Sequence, residues 1–137
     1  MVDSLQYAKT QATPVSKLQP NEFGGEIRVA YAKWDSDNGA LGNGDTVNLF
    51  RLPKGSRVLA VGAVFEAFGS SVVLDVGTGG TADLFAADVD VSTAGSYHEA
   101  SDSLEALSDD TLLIATLSGA DPADNADLEV FVYYVKT

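Results

Sequence analysis

From Glu26 the chain alternates, with Ile27, Val29 and Tyr31 on one face and Glu26, Arg28 and Lys33 on the other. A period of two residues predicts a half-buried strand ending near Trp34. Asp35-Ser36-Asp37-Asn38-Gly39 then supplies turn chemistry, because Asn and Asp bond their own backbone and glycine accepts positive φ. Asn43-Gly44-Asp45 repeats that punctuation before a second strand, Thr46 to Leu52, which closes on the turn Pro53-Lys54-Gly55-Ser56. The third segment, Arg57 to Phe68, is the most apolar of the chain. Leu59, Val61, Ala63, Phe65 and Ala67 alternate with Val58, Ala60, Gly62, Val64 and Phe68, so neither face is polar. Such a strand needs cover on both sides, from a second sheet and the N-terminal segment or from another subunit. Val64, Phe65 and Phe68 are the candidate residues for a subunit interface.

A fourth strand is expected from Ser71 to Val76, followed by the glycine connector Gly77-Thr78-Gly79-Gly80. Ala82 to Ala87 fits either a short helix or an edge strand. Residues 88–110 are acidic and poor in core candidates, and read as a long, partly ordered excursion. Two strands finish the chain, Thr111 to Leu117 and Asp127 to Lys136, joined by the turn-rich stretch Ser118 to Asn125. Six or seven β-segments without a convincing long helix predict an all-β antiparallel sandwich, best matched by a jelly roll. Residues 1–25 follow neither period and are expected to form an extended N-terminal arm, with the sandwich occupying 26–137.

Charge adds an asymmetry to this plan. The 137 residues carry a net charge of −12, from 20 acidic and 8 Lys or Arg residues. Seven of the basic groups precede residue 58 (Lys9, Lys17, Arg28, Lys33, Arg51, Lys54, Arg57), while only Lys136 follows it. The simplest consequence is a solvated acidic surface; a sharper one is a near-neutral end that docks and an acidic end that faces solvent. Direct nucleic-acid binding is disfavoured, since phosphate neutralisation would need a local basic patch. With no cysteine and one histidine, disulfides, thiolate metal sites and multi-histidine centres are excluded. No apolar run approaches the roughly 18 residues of a membrane span, and the first residues lack the pattern of an export signal. A soluble chain without membrane contact is expected.

Candidate chemistry is sparse. Val73-Leu74-Asp75-Val76-Gly77-Thr78-Gly79-Gly80 resembles the glycine-rich motif of S-adenosylmethionine-dependent methyltransferases. That motif requires a helix directly after the glycines, and a crossover needs about a dozen residues or more. Too few separate Ala82 from Asp90, so a turn after a strand is the favoured reading. Asp35 to Gly39 has alternate carboxylates but no closing glutamate for a calcium loop, and Asp121, Asp124 and Asp127 read as a hydrated acidic loop. His98 beside Glu99, the nearby Ser101 and Ser103, and the adjacent Asp109 and Asp110 lack the spacing of a catalytic set. Tyr31, Trp34, Phe131, Tyr133 and Tyr134 could line a sugar-binding face, although packing is the commoner use of strand aromatics. No catalytic residue, metal ligand or cofactor is assigned.

The order of Asn43-Gly44-Asp45-Thr46-Val47-Asn48-Leu49, Arg51 to Val58, Val72 to Gly77, Ala82-Asp83-Leu84-Phe85 and Val91-Ser92-Thr93-Ala94-Gly95 resembles the head-decoration, or cement, proteins of tailed bacteriophages. The resemblance covers residues 43–95 and rests on turn and strand patterns; phage tail or fibre components and carbohydrate-binding modules are the alternatives. It implies a non-enzymatic jelly-roll protein, made in the host cytoplasm and carried on the outer capsid surface of the virion. The implied partners are the major capsid protein and further copies of the chain, as a trimer rather than a dimer. Within that picture Leu5, Tyr7, Val15 and Leu18 are the arm's anchors on a neighbouring capsid subunit.

Overall fold

The computed structural model describes residues 26–35 and 41–136. Eight strands account for its regular structure: β1 Arg28–Trp34, β2 Thr46–Leu52, β3 Ser56–Phe65, β4 Val73–Thr78, β5 Ala86–Asp90, β6 Gly95–Ala100, β7 Thr111–Ser118 and β8 Leu128–Lys136. Among the described residues there is no helix, so the candidate helix at Ala82 to Ala87 is a turn leading into edge strand β5. The arm assigned to residues 1–25, with its candidate anchors Leu5, Tyr7, Val15 and Leu18, lies outside the described residues.

The strands form two four-stranded sheets, β1-β8-β3-β6 and β2-β7-β4-β5. β1 pairs with β8, β2 with β7, β3 with β6 and β4 with β5, all antiparallel. These nested pairs describe one long hairpin bent back on itself, closed into two sheets by the additional pairs β3 with β8 and β4 with β7. The fold is an antiparallel β-sandwich of jelly-roll topology.

Between the sheets lies an apolar core. Val58, Val61, Ala63 and Phe65 of β3 and Leu128, Val130 and Val132 of β8 face Leu52, Leu74, Val76, Leu113, Ala115 and Leu117 of the other sheet. Phe68 and Phe85 are fully buried, although both lie in connections. Phe68 is fixed there by its backbone: its N–H donates to Val91 O at 2.9 Å, and Ala123 N–H donates to its carbonyl at 2.8 Å. β3 therefore stops at Phe65, and Phe68 belongs to a connection that folds back over the core.

Two further expectations are corrected. Residues 88–110 include the end of β5, the whole of β6 and a connection pinned at both sides. Gly55 N–H donates to Leu107 O, Leu107 N–H to Ser56 O, Ser101 N–H to Leu59 O and Asp102 N–H to Phe85 O. Backbone bonds order this stretch where side-chain hydrophobicity does not. In β1 the buried face is the opposite of the one expected. Ile27, Val29 and Tyr31 are 67%, 58% and 57% exposed, whereas Ala30 packs against the core and Trp34 is buried. Lys33, two residues beyond Tyr31, shares the exposed face.

Candidate functional site

Pairing register determines which side chains meet on the outer face of the β1-β8-β3-β6 sheet. Across it, Val29 stands beside Tyr133, Ala60 and Ala100; Tyr31 beside Phe131, Gly62 and His98; and Lys33 beside Glu129, Val64 and Ser96. The second row is aromatic from edge to centre. Gly62 is the reason it fits: a β-carbon there would lie 2.0 Å from Phe131 Cζ, so the ring occupies the space a side chain would take. His98 stacks on Phe131 with centroids 6.1 Å apart, and meets Tyr133 edge-on at 5.7 Å. Phe131 and Tyr133 are themselves 5.6 Å apart. Val64, 49% exposed, lies in the next row.

Tyr31 lies one row from Glu129, which stands opposite Lys33. The Tyr31 pKa is raised above the ordinary tyrosine value, by desolvation first and then by Glu129, with Lys33 acting in the opposite direction. At the Glu129 end the face opens into a cleft of about 270 Å³ lined by Lys33, Val64, Phe65, Glu66, Asp127 and Glu129. Glu66 Oε1 accepts from Asp127 N–H at 2.9 Å, which holds one carboxylate at the rim.

At the opposite end of the sandwich cations collect. Arg28 opens β1 opposite Tyr134, Arg57 pairs with Val135, and Ser56 pairs with Lys136. Arg51 lies near the end of β2, one three-residue turn from β3, and Lys54 is in that turn. Asp110 Oδ1 accepts from Lys54 N–H at 2.8 Å, and Arg57 Nη1 donates to Leu104 O at 3.0 Å. The jelly roll thus gathers these cations at one end, where Glu26, Glu105, Asp109 and Asp110 lie among them.

The other candidate residues are dispersed. Of the interface candidates only Val64 presents its side chain; Phe65 and Phe68 are 7% and 0% exposed and belong to the core. Trp34 lies against Phe68, with ring centroids 6.3 Å apart, and Tyr134 packs against the core. Neither joins the aromatic face of Tyr31, Phe131 and Tyr133. His98 and Glu99 are consecutive in β6, so their side chains leave opposite faces of the sheet and Glu99 does not orient the imidazole. Ser101 Oγ donates to Ser103 O at 2.7 Å. The Asp110 carboxylate accepts the Lys54 N–H, and the main-chain carbonyl of Asp109 accepts from the Thr111 hydroxyl. Asp121 Oδ1 accepts from Asn43 N–H at 3.0 Å, bridging two loops. Of the Asp35 to Gly39 turn, only Asp35 is among the described residues. No group of three or more potential metal ligands converges among the described residues.

The glycine motif closes a hairpin. Thr78 N–H donates to Thr81 O and Phe85 N–H to Val76 O, bringing the chain straight back into β5. A β-carbon on Gly77 would lie 2.3 Å from Thr81 O, so glycine is required by the backbone of the turn. The helix N-terminus on which phosphate-cradling glycine motifs depend is not present after it.

No family model matches the chain, and no curated protein matches it by sequence. Its fold is found in solved phage particles. A chain of the cyanophage Pam1 capsid asymmetric unit superposes with a TM-score of 0.68 at 22% identity, over 84% of this chain and 88% of that one. A chain of the Ralstonia phage GP4 capsid gives 0.69 at 16% identity, over 82% and 86%. A chain of the acidic stable capsid structure of Helicobacter pylori bacteriophage KHP30 gives 0.54 at 21% identity, over 80% and 86%. At these identities the likeness is one of fold.

Proposed function

We propose that this protein is a non-enzymatic decoration, or cement, component of a phage head, which binds the outer capsid surface and braces neighbouring major capsid subunits. The observation that carries this reading is the jelly-roll likeness to chains of three phage capsids, over more than four-fifths of the chain in two of them. The exposed aromatic face agrees with it, because an apolar surface rimmed by charge favours association. In this reading the protein acts as a small homo-oligomer, a trimer, and residues 1–25 form an arm that adds along a neighbouring subunit through Leu5, Tyr7, Val15 and Leu18. Each contact is modest, and simultaneous engagement across the shell multiplies them.

Removing residues 1–22 tests the arm directly. The expected product is a folded sandwich with the circular dichroism of the full chain that no longer co-sediments with capsid shells. Undiminished co-sedimentation would remove the arm from the account.

A further inference from the structure

We propose that Asn43-Gly44 is a site of spontaneous deamidation, latched by the hydrogen bonds that seat its turn, and that reaction there prevents the turn from closing again. The site is independent of the decoration reading.

An asparagine followed by glycine is open to this chemistry because no side chain shields the glycine nitrogen. Asn43, Gly44 and Asp45 are all exposed. Gly44 has φ +87°, and a β-carbon there would meet nothing within 4 Å, so solvent stands against the peptide link. The other asparagines among the described residues, Asn48 and Asn125, precede Leu49 and Ala126, whose side chains crowd the approaching amide.

The reaction needs only hydroxide and water. Solvent hydroxide takes the Gly44 N–H proton, and the nitrogen attacks Asn43 Cγ. A Gly44 N–Cγ bond forms and the Cγ–Nδ2 bond breaks, releasing ammonia once that nitrogen has taken a proton from solvent. Water then opens the succinimide at either carbonyl carbon, which gains the hydroxyl while a proton returns to Gly44 N. Opening at Cγ leaves aspartate. Opening at the main-chain carbonyl leaves isoaspartate, in which the chain runs through Cβ and Cγ and is one methylene longer.

Two consecutive amides tied to different partners form the latch. Asn43 N–H donates to Asp121 Oδ1 at 3.0 Å, in the connection between β7 and β8, and Gly44 N–H donates to Leu117 O at 2.8 Å, in β7. Asp45 completes the seat: its N–H donates to Gly42 O, its carboxylate accepts from Gly42 N–H, and its carbonyl accepts from Leu117 N–H. A hydrogen bond donated by the Gly44 N–H stabilises the neutral amide and so opposes its deprotonation. The reactive form is therefore the locally opened turn. Isoaspartate does not fit the seat, because an extra methylene separates two amides whose acceptors, Asp121 Oδ1 and Leu117 O, are fixed by other elements. Either product also adds a carboxylate beside Asp45 and Asp121, where like charges repel.

The test is site-resolved peptide mapping of the full chain aged at mildly alkaline pH, both folded and in guanidinium chloride. Fragmentation separates Asn43 from Asn38, which also precedes glycine. Asn43 is expected to convert about tenfold or more slowly in the folded chain, since only the opened fraction reacts. Asp121→Ala, at an exposed position, should keep the wild-type circular dichroism while raising the folded-state rate severalfold. Asp121→Asn, which keeps an acceptor oxygen, should leave the rate near that of the wild type. In the isoaspartyl product the Gly44 and Leu117 amides should exchange with solvent faster than in fresh protein. Equal rates in folded and denatured chain, no isoaspartate at residue 43 in the denatured chain, an unchanged rate in Asp121→Ala, or amides that stay protected in the product would each overturn the proposal. If Asp121→Ala alters the spectrum, the ratio of folded to denatured rates and the amide exchange of the product decide.

Discussion

Gly62 and Gly77 both exclude a side chain, and the cost of adding one differs because of what it would strike. At Gly62 the obstacle is the far end of the Phe131 ring, which can swing outward; at Gly77 it is the carbonyl oxygens of Thr81 and Ala82. Gly77→Ala should therefore lower stability by about 1–3 kcal/mol, and Gly62→Ala by less. Thermal melts of both variants check the order, and the Gly62 variant should also lose the ring-current shift of His98 as the stack opens. Asp90 gives a pH-dependent case. Its carboxyl is held below the ordinary aspartate pKa by hydrogen bonds from the Ser92 hydroxyl and then the Ser92 N–H. The ionised form is the bonded one, so its contribution to stability is present above the ordinary pKa and disappears as pH falls through the depressed value. A carboxyl NMR titration should find Asp90 below the ordinary aspartate value, and Ser92→Ala should move it back up. At this scale the sequence told the least. The identity of Tyr31 was plain, but its facing was not, because alternation gives the period of a strand and not which side meets the core. The choice was made by Ala30, Ala32 and Trp34, small residues and one large ring on the inward side.

Strands were the most legible level. The extents of β1, β2, β7 and β8 agree with the sequence pattern to within about two residues, since each is a run of alternation or β-branched residues between turn signals. β6 escaped because Gly95–Ala100, GSYHEA, has no apolar alternation; only Tyr97 leans on the core. Its place comes from pairing with β3, a long-range contact that local pattern does not carry. As an outer strand with mostly exposed residues, β6 should exchange its amide protons faster than central β8, and hydrogen exchange measured strand by strand checks this. β3 gives a sharper contrast. Val64 and Phe65 are neighbours on opposite faces, one half-exposed and one in the core. Val64→Asp should leave the fold intact, whereas Phe65→Asp should prevent cooperative folding, read by circular dichroism. In the connection beyond β3, Phe68→Ala should cost about 3–5 kcal/mol by denaturant unfolding, because it empties a fully buried site against Trp34.

For the whole molecule, an all-β sandwich followed from the number of strands and the lack of helical periodicity. The nested pairing of β1 with β8 through β4 with β5 is a property of long-range register and was reached only as the topology that best fitted the strand count. Charge shows the same division. The early cations and later acids are visible along the chain, yet their meaning depends on the roll, which brings Arg28, Arg51, Lys54, Arg57 and Lys136 to one end and leaves Lys33 beside the carboxylate cleft at the other. The same roll leaves Tyr31, Phe131 and Tyr133 side by side on an open face, although they come from opposite ends of the described chain. The most direct measurement is co-expression of the full chain with the capsid subunit encoded nearest to it, followed by gradient purification of the shells. The account predicts that the chain migrates with intact shells in a fixed ratio and is exposed on their outer surface to added protease. Shells that sediment bare, with the chain left at the top of the gradient, would contradict it.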